Sequence, residues 1–114
     1  MHTILVVDDD PQVLTVVSAI LRQPGYIVLT ASDGYEAIRI LADRHIDLLV
    51  ADIRMPGLSG AELAMQAKVM RPTLRIIFIT GFADAAGKVR GRVMQKPIRA
   101  ADLIQTVKNE MTAA

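Results

Sequence analysis

The sequence contains no cysteine and no tryptophan, and only two tyrosines and two phenylalanines. The lack of cysteine rules out a disulfide framework, a thiolate metal site and a cysteine nucleophile, and it fits a reducing compartment. The scarcity of rings leaves Val, Ile, Leu, Ala and Met to fill a core. An excess of one charge is missing too. Thirteen basic side chains stand against twelve acidic ones, a net charge of +1, so no global field holds nucleic acid or an anionic membrane. No apolar run approaches the ~20 residues of a membrane span, and the start MHTILVVDDD has neither the basic head nor the small-residue cleavage site of a secretion signal. These absences point to a cytoplasmic chain.

What is present is globular. Of 114 residues, 52% are hydrophobic and 22% charged, the balance of one domain, here taken as residues 1–114, rather than of a disordered tail. Five short apolar runs stand out: TILVV (3–7), YIVLT (26–30), DLLVA (47–51), RIIFI (75–79) and RVM (92–94). Four are nearly continuous instead of alternating, as expected of parallel strands covered on both faces. Helical patterns lie between them. Asp10-Pro11 reads as a cap and first-turn proline ahead of Val13, Leu14, Val17, Ile20 and Leu21, and Gly25 follows the expected end. Asp33 with Glu36 resembles a capping box before Ala37, Ile38 and Leu41. A third helix is expected from Ser59-Gly60 to Arg71-Pro72, and a last one over 99–112 with Leu103, Ile104, Val107 and Met111 on one face. Segment 81–91, GFADAAGKVRG, is glycine-rich and predicts a short or irregular helix. Alternating strand and helix argue for a doubly wound α/β domain with right-handed crossovers.

Polar residues collect where the strands end. Strand one runs into Asp8, Asp9 and Asp10, strand three into Asp52, strand four into Thr80-Gly81 and strand five, past Gln95, into Lys96-Pro97. In a parallel sheet these ends share one edge, where ligands bind. Asp8, Asp9 and Asp52 would then repel one another by roughly 4 kcal/mol per pair at ~4 Å and an effective dielectric of ~20. Positive charge has to sit among them. All-oxygen donors with room for water favour Mg²⁺ over Ca²⁺, and Lys96 supplies a second, compact positive charge. A metal, an ammonium, a hydroxyl and a nucleophilic carboxylate together suit phosphoryl transfer. Taken singly, these residues are ordinary turn and cap residues, and Asp10 before Pro11 reads better as a cap than as a ligand. Their occurrence together, each at its own strand end, favours the functional reading.

The motifs VVDDDPQV, LLVADIRMPGLSG, IIFITG and QKPI make the whole chain resemble the receiver domain of two-component response regulators. The resemblance implies a (βα)5 flavodoxin-like sandwich with strand order 2-1-3-4-5, which sets the four decorated strands side by side. It implies that Asp52 accepts a phosphoryl group from a sensor histidine kinase or histidine phosphotransfer protein. It also implies Mg²⁺ held by Asp9, Asp52 and the backbone carbonyl of Arg54, with Asp8 acting through water. Thr80 and Lys96 would bind the phosphoryl oxygens, with a cis bond before Pro97. Output would pass to a downstream protein target, the chain being a monomer or weak homodimer. As a signalling module it would catalyse only its own phosphorylation and dephosphorylation.

Two departures concern the switch. Three residues before Lys96 stands Val93, where the family usually has Tyr or Phe, and the Thr80 to Lys96 interval is about one to two helical turns short. Phe82 is the substitute reporter, or simply a loop ring shielding the core edge. Lys88, Arg90, Arg92 and Arg99 read as a solvated basic face, with no nucleic-acid motif beside them. Two rivals remain. A haloacid-dehalogenase-like phosphatase would use Asp8 as nucleophile, but it needs an acidic metal motif beyond the lysine, where only Asp102 and Glu110 follow. A degenerate receiver would serve only as a binding module, which the intact acidic set argues against.

Overall fold

A computed structural model describes residues 2–82, 87 and 89–112. The described residues form five strands and four helices, alternating as far as β4: β1 (Thr3–Val7), α1 (Pro11–Arg22), β2 (Ile27–Ala31), α2 (Gly34–Asp43), β3 (Leu48–Asp52), α3 (Gly60–Met70), β4 (Arg75–Thr80), β5 (Arg92–Gln95) and α4 (Ala100–Thr112). All pairings are parallel, and the sheet order is β2-β1-β3-β4-β5, as expected. Of the segment 81–91, where a short or irregular helix is expected, residues 83–86 and 88 lie outside the described residues.

The continuous apolar runs have a simple cause. Successive residues of a strand point to opposite faces, and both faces here are covered. Leu5, Val7, Leu49 and Ala51 pack with Ala37 and Leu41 of α2 and Leu63 and Ala67 of α3. Ile4, Val6, Leu48, Val50, Ile77 and Ile79 pack with Val17 and Leu21 of α1 and Leu103 and Val107 of α4. A third, smaller cluster joins Ile53 and Phe78, with Ala64, Ile76, Val89 and Val93 against it. A central strand exposed on either side would waste about 25 cal/mol per Å² of apolar surface.

The caps follow the sequence closely. Asp10 accepts from the Gln12 N–H at 2.9 Å, Pro11 opens α1, and Gly25 takes the left-handed φ of 103° after its end. Asp33 caps α2 by accepting from the Glu36 N–H at 2.8 Å, but Glu36 reaches back one residue further than a capping box, to the Ser32 N–H. The reciprocal box closes instead at α3, between Ser59 and Glu62. At the opposite rim Asp47 ties β1 to β3: its carboxylate accepts from the Thr3 N–H at 2.8 Å and its own N–H donates to the Thr3 carbonyl at 2.9 Å. No helix among the described residues is long and apolar enough to cross a membrane.

The start of α3 lies hard against the end of β3. The Gly60 N–H donates to the Ile53 carbonyl at 2.8 Å, and a Cβ at position 60 would collide with the Asp52 carbonyl oxygen and the Ile53 Cα. Backbone cannot yield as a flexible side-chain tip can, so only glycine fits. Gly60→Ala is expected to lower the unfolding free energy by about 3 kcal/mol, measured by urea titration, a larger cost than an alanine in the first turn of a helix would otherwise carry.

Candidate functional site

The site forms at the C-terminal rim of the sheet because the strand ends deliver it. β1 and β3 are neighbours, with Val7 opposite Ala51, so Asp8 and Asp52 emerge side by side. β4 lies next, with Ile79 opposite Asp52, and β5 follows, with Gln95 opposite Thr80. The Lys96 N–H donates to the Thr80 carbonyl at 2.7 Å, extending that pairing one residue past the strand, and the Lys96–Pro97 peptide is cis.

Asp8 is fully buried, Asp52 is 6% exposed and Thr80 1%, while Asp9 stands at the exposed outer side. Among the described residues, Asp8, Asp9 and Asp52 form one group whose carboxylate oxygens lie within 4.8 Å of one another. The Lys96 ammonium donates to Asp8 Oδ2 at 3.0 Å and to Asp52 Oδ2 at 3.4 Å. The other oxygen of Asp8 accepts from the Asp10 N–H at 2.9 Å, so both Asp8 oxygens already have partners. One ammonium against three carboxylates leaves two negative charges uncompensated, and every donor is oxygen. That set fits a hard divalent cation retaining water on the exposed Asp9 side.

These charges tune one another. Burial pushes the Asp52 carboxyl above the usual carboxylate range, the Asp8 charge adds to this, and the Lys96 ammonium reverses it only in part. For Lys96 burial works against the ammonium, but the hydrogen bond to Asp8 and the charges of Asp52 and Asp8 outweigh it, so its proton is held above the usual lysine value.

Three residues sit differently from the simplest expectation. The Thr80 hydroxyl does not face Asp52 for a hydrogen bond; it donates to the Phe82 carbonyl at 3.2 Å and accepts from the Phe82 N–H at 3.0 Å. Phe82 is half exposed, and the Arg54 guanidinium lies 4.2 Å from its ring centre, a cation–π contact between the loops after β3 and β4. Val93 is partly buried opposite Phe78 in the third cluster, a packing residue as placed. Gly60 escaped the sequence reading, which took Ser59-Gly60 only as a helix start. A glycine inside a first turn serves no cap, and that was the available signal of close approach.

A carboxyl whose pKa rises on folding contributes stability below its unfolded value and loses it as pH climbs through the folded one. Asp52→Asn is therefore expected to stabilise the metal-free protein at neutral pH and to lose that advantage toward pH 3. With ligand oxygens no more than 4.8 Å apart the Asp8 repulsion is at least about 3.5 kcal/mol at a dielectric of ~20. Lys96 offsets most of it, leaving a gain of about 1 kcal/mol, or several degrees in Tm, read by thermal melts with EDTA across pH 3–8. Saturating Mg²⁺ should shrink or reverse the difference.

Known proteins resemble this chain in sequence and fold. The sequence model of the response regulator receiver domain matches residues 4–108. The response regulator receiver protein CpdR of Brucella abortus is 33% identical over the full length of both chains. The receiver domain of the hybrid histidine kinase CckA superposes with a TM-score of 0.86 at 34% identity, covering 97% of this chain and 100% of that one. The response regulator TrrA of Thermotoga maritima, solved with Mg²⁺-BeF, gives a TM-score of 0.86 at 30% identity over 96% of this chain and 98% of its own. Other curated relatives are longer, and this chain spans 37% of one and 17% of another. With the family's sequence pattern running through nearly all of its length and the acidic rim assembled, the chain belongs to the response regulator receiver domain family.

Proposed function

We propose that residues 1–114 act as one receiver domain in which Asp52 is the phosphoacceptor, served by Lys96 and Thr80. The observation that carries the assignment is the Lys96 ammonium, which bonds Asp8 yet lies 3.4 Å from Asp52 Oδ2. In this reading an Asp52 oxygen attacks the phosphorus of a phosphohistidine on a sensor histidine kinase or histidine phosphotransfer protein. The P–N bond breaks, its electron pair stays on the imidazole, which takes up a proton, and an aspartyl phosphate remains. Lys96 pairs with the phosphoryl oxygens and offsets their charge. Asp9, Asp52 and the Arg54 carbonyl would hold Mg²⁺, with Asp8 acting through water, and the ion when bound would supply Lewis-acid stabilisation of the transferring group. The Mg²⁺-BeF bound to TrrA supports this choice of ion.

Release of Phe82 is the switching step in this reading. The phosphoryl group adds roughly 1.5 to 2 negative charges and three acceptor oxygens. The Thr80 hydroxyl then donates to one of them in place of the Phe82 carbonyl, and Phe82, stacked on Arg54, moves with its loop. Val93 follows through its packing on Phe78. The output is a change of protein contacts in the cytoplasm, by a monomer or weak dimer, without direct nucleic-acid binding. A phosphatase using Asp8 as nucleophile fits poorly, since Asp8 is fully buried with both oxygens engaged.

Incubation with acetyl phosphate and Mg²⁺ tests the assignment. Intact-mass spectrometry is expected to show a single phosphoryl group, acid-stable and base-labile, absent from Asp52→Asn. Lys96→Ala should slow its appearance about 10- to 100-fold. Labelling that survives in Asp52→Asn, or turnover of a phosphomonoester that depends on Asp8, overturns the reading. A further expectation concerns the stacked pair: beryllofluoride with Mg²⁺ should raise amide hydrogen exchange at Phe82 several-fold, because the Thr80 hydroxyl that accepts from its N–H turns to the phosphoryl mimic.

A further inference from the structure

A groove runs the length of α3 on its outer side. Its larger part is a cavity of about 740 Å³ walled by Ala61, Ala64, Met65 and Lys68 of α3 and by residues 89–91, with Ile76 and Phe78 of β4 beneath. Its smaller part, about 470 Å³, lies between Arg54, Ser59 and Phe82. Ala61 lines both, so the two adjoin at the first turn of α3, beside the loop that follows Asp52.

The helix that makes the wall is unusual for a surface helix. Met65 is 72% exposed and Val69 83%, although Leu63 and Ala67 already bury its inner face. The groove-side positions 61, 64, 65 and 68 have the spacing of a helical ridge, which another helix can pack against. Eleven residues of α3 give a track of about 16 Å, three turns of a partner helix. Charge supplies the rest of the description. Lys68 and Arg90 stand on opposite walls. Lys68 donates to the neutral carbonyls of Pro72 and Leu74 at 3.2 and 2.8 Å, which leaves its charge in place. Glu110 is the one carboxylate among the described lining residues, in a chain whose net charge is only +1.

We propose that this groove docks an amphipathic helix of a partner protein, with an apolar stripe laid on Ala61, Ala64 and Met65 and acidic flanks facing Lys68 and Arg90. The docking stands without phosphotransfer to Asp52, because it rests on shape, exposure and charge alone. A helix laid in an apolar groove is a recurring mode of recognition, read through anchors three to four residues apart. Small alanines at 61 and 64 allow close approach, and the flexible Met65 adapts to the anchor above it.

The test uses a fluorescein-labelled, helix-stapled 15-residue peptide with Leu at i, i+4, i+7 and i+11 and Glu on both flanks, titrated with the full chain by anisotropy. A counterpart carries Lys for every Glu. The acidic peptide is expected to bind with a Kd in the tens of micromolar, and the basic one at least tenfold more weakly. Met65→Glu and Arg90→Glu should each weaken the acidic peptide at least tenfold, while Val16→Lys, which changes an exposed apolar residue of α1, should leave it unchanged. Circular dichroism melts confirm folding of each variant. Equal binding of both peptides, or binding indifferent to Met65→Glu and Arg90→Glu in folded protein, overturns the proposal. So does sedimentation showing a dimer of the chain that Met65→Glu dissolves, since the occupant would then be a second copy.

Discussion

The Lys96 ammonium sits between two carboxylates that have almost no access to water, 3.0 Å from Asp8 and 3.4 Å from Asp52. Buried carboxylates are tolerated only with partners, and this cation is drawn from a position 88 residues away from one of them and 44 from the other. The fold has to bring those positions together. Strand order β2-β1-β3-β4-β5 does so by making β1, β3, β4 and β5 consecutive neighbours, and the extra pairing of Lys96 N–H with the Thr80 carbonyl holds the lysine at the rim. The compensation remains incomplete, as the raised Asp52 carboxyl records. Such a site gives up stability to hold like charges together, as happens where function requires strained electrostatics.

Much of this was legible in the chain. Nearly continuous apolar runs marked four of the five strands, as expected where both faces of a parallel sheet are covered, and Asp10-Pro11, Asp33 and Ser59 marked helix starts through the chemistry of unsatisfied N–H groups. Carboxylates at 8, 9 and 52, the hydroxyl at 80 and the lysine at 96 were visible as polar interruptions at strand ends. Less accessible were features set by contact between distant segments. Nothing near position 82 announces a guanidinium laid on its ring from position 54. Nor does the pattern around Thr80 reveal that its hydroxyl bonds its own loop. The capping box was expected at Asp33 with Glu36 and closes instead at Ser59 with Glu62, because rotamers three bonds out decide which N–H a glutamate reaches.

The departures from the family pattern gather on one side of the molecule. Val93 replaces an aromatic, the interval from Thr80 to Lys96 is short, and the third cluster around Phe78 is small beside the two that flank the central strands. The groove along α3 opens on this same side. Phe82, Arg54 and the outer face of α3 offer a ring, a cation and exposed aliphatics there.

One contact fixes the mechanics of that side. With the Gly60 N–H bonded to Ile53 and no room for a single carbon between the helix and the strand, α3 and the tail of β3 form a bearing without clearance. A displacement of the chain at Asp52 is therefore passed to α3, so the acidic rim and the helix that lines the groove share one rigid linkage.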